Sequence, residues 1–194
     1  CEGGCSGSYG NYDNNPENSI IYGRLYNWHS ATDSRGLCME GWHLPSDEEW
    51  QELEVYLGMS EEDAESWGGA RGTNEGSKIA GNAELWNDGV LEQDDGFGAS
   101  GFNALPAGYR SNNSNEYFEI GNIGAFQSST EVPNLGISAF DRYTDYEEAY
   151  LGKSESHKNY AISVRCLTYD FIQGCTNPEA SNYDETANVD DGSC

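Results

Sequence analysis

Apolar residues recur most clearly at helical spacing at Trp50, Leu53 and Leu57, with Val55 and Tyr56 beside them. Just before them stands Ser46-Asp47-Glu48-Glu49. Ser46 is a good N-cap, and Glu49 three residues later completes a capping box. Asp47, Glu48 and Glu49 put negative charge at the positive end of the helix dipole. Gly58 sits where a glycine commonly ends a helix, so the pattern predicts an amphipathic helix over 46–57 with a buried aromatic face. Pro45 holds Leu44 extended ahead of it. Tyr22, Leu25, Tyr26 and Trp28 predict a shorter buried helix of about three turns. A second capped helix is expected over 60–67, its acids forming a solvated face.

The remainder is turn-rich. Residues 1–20 have almost no periodicity and read as coil, and the stretch from Gly68 to Ser100, rich in Gly, Asn and Asp, reads as loop. From Gly101 short strands are expected: around 101–110, at 117–120, at 125–130, and in an acidic, tyrosine-rich ribbon over 141–151. The segment 160–169 alternates, with Cys166 and Leu167 breaking strict polarity, which places it near the middle of a sheet. His29 and His43 stand beside aromatic residues and read as hydrogen-bonded structure rather than as ligands or bases.

Charge narrows the range of partners. Nine Lys and Arg against 34 Asp and Glu give a formal charge of −25. Such a surface repels phosphate backbones and anionic lipid, which argues against nucleic-acid and membrane-surface partners. It suits divalent cations. Five Trp, 13 Tyr and six Phe argue for a packed fold rather than an acidic disordered chain. No apolar run is long enough to span a bilayer and no signal peptide is seen. Six cysteines without a CxxC pair or clustered histidines read as disulfides of an exported protein. Cys1 and Cys5 have three readings: a local bridge, a lipidated Cys1, or a cross-link to another chain.

A resemblance joins these segments. The first half carries Tyr22-Gly23-Arg24-Leu25-Tyr26-Asn27-Trp28, Leu37-Cys38, Gly41-Trp42-His43-Leu44-Pro45, Glu49-Trp50 and Leu53. The second carries residues 101–110 (Gly-Phe-Asn-Ala-Leu-Pro-Ala-Gly-Tyr-Arg), Ser128-Ser129-Thr130-Glu131 and Ser163-Val164-Arg165-Cys166. Together they resemble the Fibrobacter succinogenes major paralogous domain, related to formylglycine-generating enzymes and, distantly, to C-type-lectin-like folds. The resemblance covers about 22–168. It implies an α+β, loop-rich, lectin-like domain over 21–170, preceded by an extension at 1–20. It also implies export by a Gram-negative bacterium to its surface or surroundings, and a Cys38–Cys166 disulfide. Such a bridge would close a very long loop, worth roughly 4–5 kcal/mol on the chain-entropy account.

Two departures from the family bear on function. Residues 1–20 do not resemble the family's opening strand, so segment 160–169 is expected to lack its partner, to find it near 18–22, or to take it from a neighbouring subunit. An unpaired edge there would be an assembly site. Formylglycine-generating enzymes hold copper with a cysteine pair near the end of the domain, where this chain has only Cys166. No Ser-His-Asp, Cys-His or HExxH arrangement replaces it.

Two further elements concern ligands. Trp86-Asn87-Asp88 matches the Trp-Asn-Asp element that carries calcium in sugar-binding C-type lectins, and Glu131-Val132-Pro133-Asn134 resembles a stretched Glu-Pro-Asn, in reversed order. Residues 171–194 form a separate module: Gly174-Cys175-Thr176-Asn177-Pro178 through Asp190-Asp191-Gly192-Ser193-Cys194 resembles a short repeat of secreted bacterial surface proteins, loosely similar to thrombospondin type-3 calcium repeats. A Cys175–Cys194 bridge would close it. Asn177, Asn182, Asp184, Asn188, Asp190 and Asp191 are hard oxygen donors suited to calcium; the alternative is that they only form Asx turns. The expectation is therefore a non-enzymatic structural or adhesive subunit of a cell-surface or extracellular, self-associating assembly, stabilised by calcium. The alternatives are a calcium-dependent glycan-binding module and a formylglycine-generating oxidoreductase.

Overall fold

The structure is a computed structural model that describes residues 8–68, 71–114, 116–168, 173–187 and 189–194. It is α+β, built on two antiparallel sheets. The first has five short strands in the order β1 (Tyr9–Gly10), β2 (Leu25–Asn27), β9 (Ala161–Ile162), β4 (Ala107–Arg110) and β5 (Tyr117–Ile120). The second is a meander of β6 (Ile123–Glu131), β7 (Ser138–Asp145) and β8 (Gly152–His157).

The expected main helix is α3 (Asp47–Tyr56), and its capping box forms as read, with Ser46 as N-cap. The Glu49 side chain accepts from the Ser46 backbone N–H at 2.7 Å and meets His43 Nε2 at 2.6 Å. Its buried face differs from the one read in the sequence. Asp47, Trp50 and Glu54 are buried, Leu53 and Leu57 pack only partly, and Tyr56 is exposed. The residues at i, i+3 and i+7 therefore carry two charges and one indole inward, because Arg142 of β7, Lys153 of β8 and Arg71 supply cations opposite them.

Other expectations change. The stretch 22–31 is not a three-turn helix: β2 enters the sheet and only one turn, α2 (Trp28–Ala31), follows it. Sheet pairing outweighs the helical spacing of its aromatic residues. The described part of 1–20 is not coil, since β1 pairs with β2 and α1 (Pro16–Tyr22) is capped by Asn15. Residues 8–20 thus belong to the main body rather than to an extension. Helix α4 (Glu61–Glu65) forms as expected on the Ser60 cap. The loop expected from 68 to 100 contains α5 (Glu75–Ile79) and α6 (Val90–Gln93), too short for a periodic signal.

Segment 160–169 is also split. β9 lies in the middle of the five-stranded sheet, with β2 on one side and Arg110 of β4 on the other. After it the chain leaves to form β10 (Leu167–Thr168), which pairs with β3 (Trp42–His43). Of the three alternatives for this segment, β9 takes its partners within the chain, at Leu25–Asn27 and Arg110 rather than at 18–22 or on a neighbouring subunit, so strand addition at β9 is ruled out as an assembly contact.

The Cys38–Cys166 disulfide is present, with Cα atoms 5.8 Å apart across 128 residues. A second joins Cys175 and Cys194, closing a tail in which β11 (Gln173–Gly174) pairs with β12 (Val189–Asp190). Cys1, Cys5 and Asn188 lie outside the described residues.

Candidate binding cleft

The meander β6–β7–β8 has two faces with opposite chemistry, and strand alternation explains both. On one face Arg142 lies opposite Phe126 and Lys153. Its guanidinium donates to Asp47 Oδ1 at 2.7 Å and to Glu54 Oε1 at 2.6 Å. Arg71 donates to the same Glu54 oxygen at 2.6 Å, and Lys153 to Asp47 Oδ2 at 2.7 Å. All five side chains are buried. Burial pushes the Asp47 carboxyl up, but Arg142 and Lys153 outweigh it and hold it below the usual range. The network pins α3 to the back of the meander.

The other face is a cleft. Asp141 and Tyr143 of β7, Ile123 and Ala125 of β6, and Ser154 and Ser156 of β8 form its floor. Tyr109, Tyr160 and Ile162, from the five-stranded sheet and the turn before β9, form the facing wall. Glu155 and His157 complete the lining of a recess of about 420 Å³. The Tyr109 and Tyr160 rings are 5.7 Å apart and tilted by 51°. Tyr143 lies over Gly152, its cross-strand partner; a Cβ there would come within 2.3 Å of the ring.

Asp141 is 3% exposed. Burial raises its carboxyl to about 6, although hydroxyl donors from Ser154 and Ser156 pull the other way. Both Asp141 oxygens receive Ser154 Oγ, at 2.9 and 3.0 Å. Burial likewise raises the Tyr109 and Tyr143 phenols. Sequence reading missed this site because its members come from five separate strands and a turn. The only trace was the acidic, tyrosine-rich ribbon around 141–151.

The residues singled out in the sequence lie elsewhere. Trp86 is core, packed with Ala80 and Leu91 and donating from Nε1 to Gly81 O. Asn87 and Asp88 are exposed beside the β5–β6 turn, where the Asn87 N–H donates to Gly121 O. Glu131 closes the far end of β6 and pairs with Lys158 at 2.9 Å. Asn134, in the turn beyond, has a left-handed backbone. A nine-residue strand separates the two groups by on the order of 25 Å, so they do not meet in one sugar site.

In the tail, Asn177 Oδ1 accepts from Glu179 N, Asp184 Oδ1 from Thr186 N, Asp190 Oδ1 from Gly192 N and Asp191 Oδ1 from Ser193 N. Asn182 donates to Ser193 O. The first four are Asx turns, and the Asn182 bond ties residues eleven apart. Among the described residues no three His, Cys, Asp or Glu come together as a metal cluster. No helix of the described residues is long and apolar enough to cross a membrane.

The profile of the Fibrobacter succinogenes major domain matches residues 5–168, and the chain belongs to that family. The match starts before β1, in keeping with the place of that strand in the sheet. A 69-residue stretch is 36% identical to the chloroplastic ribulose bisphosphate carboxylase/oxygenase activase of Spinacia oleracea. It covers 36% of this chain and 12% of that protein. No solved structure matches.

Proposed function

We propose that the chain is an exported, non-catalytic structural or adhesive unit of a bacterial cell-surface or extracellular assembly, which engages its target through the tyrosine cleft. The observation that carries this reading is the fate of Cys166. A formylglycine-generating reaction would need that sulfur near the end of the domain, and here it is bonded to Cys38. What remains is a preformed recess on a sheet whose reverse face is fixed by buried ion pairs.

The pairing of an early strand, β2, with a late one, β9, supports placing the fold among lectin-like folds. Self-association belongs to the same proposal, through surfaces other than β9. Calcium belongs to it at the tail: residues 173–194 hold five Asp and Glu and no Lys or Arg, and a cation would relieve their mutual repulsion.

Oxygen uptake with a cysteine-containing peptide and copper tests the non-catalytic part. No turnover is expected, and copper-dependent turnover would overturn it. Electron microscopy of the protein in calcium and in EGTA tests assembly. Ordered multimers are expected; dispersed single particles under all conditions would contradict that part.

A further inference from the structure

Four carboxylates are buried among the described residues: Asp47, Glu54, Glu75 and Asp141. Three have a cation within 4 Å. Asp47 meets Arg142 and Lys153, Glu54 meets Arg71 and Arg142, and Glu75 lies 3.9 Å from Lys78 Nζ. This chain invests heavily in such pairs: Arg71, Arg142, Lys153 and Lys158, four of its nine basic residues, are buried. Asp141 departs from the pattern. Its hydrogen-bond partners are the hydroxyls of Ser154 and Ser156, with Arg142 acting on it only through longer-range Coulomb attraction, and it forms part of the floor of the tyrosine cleft.

We propose that the cleft binds an organic cation, an alkylammonium group that sits among Tyr109, Tyr143 and Tyr160 and supplies the positive charge Asp141 lacks. This rests on the reading of the cleft as the recognition site and names its ligand class. Aromatic faces attract ammonium groups through their quadrupole, and the attraction grows when the site is desolvated. A carboxylate at the base of such a recess adds charge-assisted hydrogen bonding for a protonated amine and Coulomb attraction for a quaternary one. The volume of about 420 Å³ holds a group the size of a lysine side-chain end or a choline head. The surrounding charge favours the same sign. The chain as a whole is strongly anionic. The Nδ1 atom of His157 accepts the Asn159 N–H.

A neutral polyol would also find hydroxyl partners here, so the test sets the two against each other. Calorimetric titrations of the whole chain at pH 7.5 in 150 mM salt would use butylammonium, tetramethylammonium, 1-pentanol and methyl glucoside. Salt at that strength suppresses loose attraction of cations to the acidic surface. Both ammonium ions are expected to bind at one site, at least tenfold more tightly than pentanol. Asp141→Asn is expected to weaken them by tenfold or more. Tyr160→Ala, on the half-buried wall, should do the same and guards against an Asp141 variant that does not fold. Preference between the two ammonium ions separates amine sources from quaternary ones. If methyl glucoside binds in a Tyr160-dependent way and the ammonium ions do not, the cation inference falls while the cleft stands as a recognition site. If no probe binds, or ammonium binding ignores both substitutions, the inference is overturned outright.

Discussion

Asp141 and Arg142 are neighbours in the chain, yet they face opposite sides of β7 and meet opposite environments. Arg142 closes a buried network with Asp47 and Glu54, while Asp141 accepts hydrogen bonds from serine hydroxyls in the cleft. One residue fixes the scaffold and the next equips the site.

The Asp141 carboxyl titrates near 6, above the ordinary aspartate value, because burial penalises its charge. The folded state therefore holds this proton more tightly than the unfolded chain does. The stabilisation is complete below about pH 4 and is lost as pH rises through 6. A shift of about two units corresponds to roughly 3 kcal/mol. Asp47 runs in the opposite sense: its lowered carboxyl stabilises the fold above about pH 4 and ceases to do so as acid protonates it. The difference between wild type and Asp141→Asn in urea denaturation isolates the first effect. From pH 4 to 7.5 the variant should gain up to about 3 kcal/mol relative to wild type. A flat difference would mean that Asp141 ionises normally.

Arg142→Met removes the cation shared by two buried carboxylates. Leaving buried charges unpaired typically costs about 3–5 kcal/mol. For a domain of this size that lowers Tm by roughly 6–20 °C. Differential scanning calorimetry at pH 7 measures it. A loss below about 1 kcal/mol would show that the remaining cations, Arg71 and Lys153, suffice.

Gly152→Ala places a methyl group where the Tyr143 ring lies. Overpacking of this kind costs about 1–3 kcal/mol. The ring must move, so alkylammonium binding should weaken at least tenfold while the fold persists. Circular dichroism and calorimetry on the same sample separate the two effects.

Removing the Cys38–Cys166 bridge by Cys38→Ala and Cys166→Ala frees a 128-residue loop in the unfolded chain. The expected loss is about 4–5 kcal/mol on the chain-entropy account. Denaturation of wild type with and without reductant gives an independent check.

How legible this was in the sequence depended on whether a signal was local. The capping box at Ser46 and Glu49 needs only four consecutive residues, and it was read correctly. The short helices around Glu75–Ile79 and Val90–Gln93 offer barely one turn each, too little for periodicity. Leu25–Asn27 looked helical because its aromatic neighbours fall at helical spacing; its place between β1 and β9 is a tertiary fact. Burial of Glu54 could have been noticed, since it shares a face with Asp47 and Trp50, but charge on a helix is normally read as solvent-facing. Trp86 shows the reverse error, as a three-residue match drew attention to a core indole. The cleft itself is assembled from residues 109 to 162 by sheet register, which composition does not encode.

The central claim is that the tyrosine cleft recognises its ligand, and ring-selective NMR of isotope-labelled tyrosine tests it most directly. There are 13 tyrosines, spread over the whole chain. On titration with butylammonium, the rings of Tyr109, Tyr143 and Tyr160 should shift together along one saturable curve, while exposed Tyr56 stays still. Shifts spread evenly over the tyrosines, or rising linearly without saturation, would contradict the account.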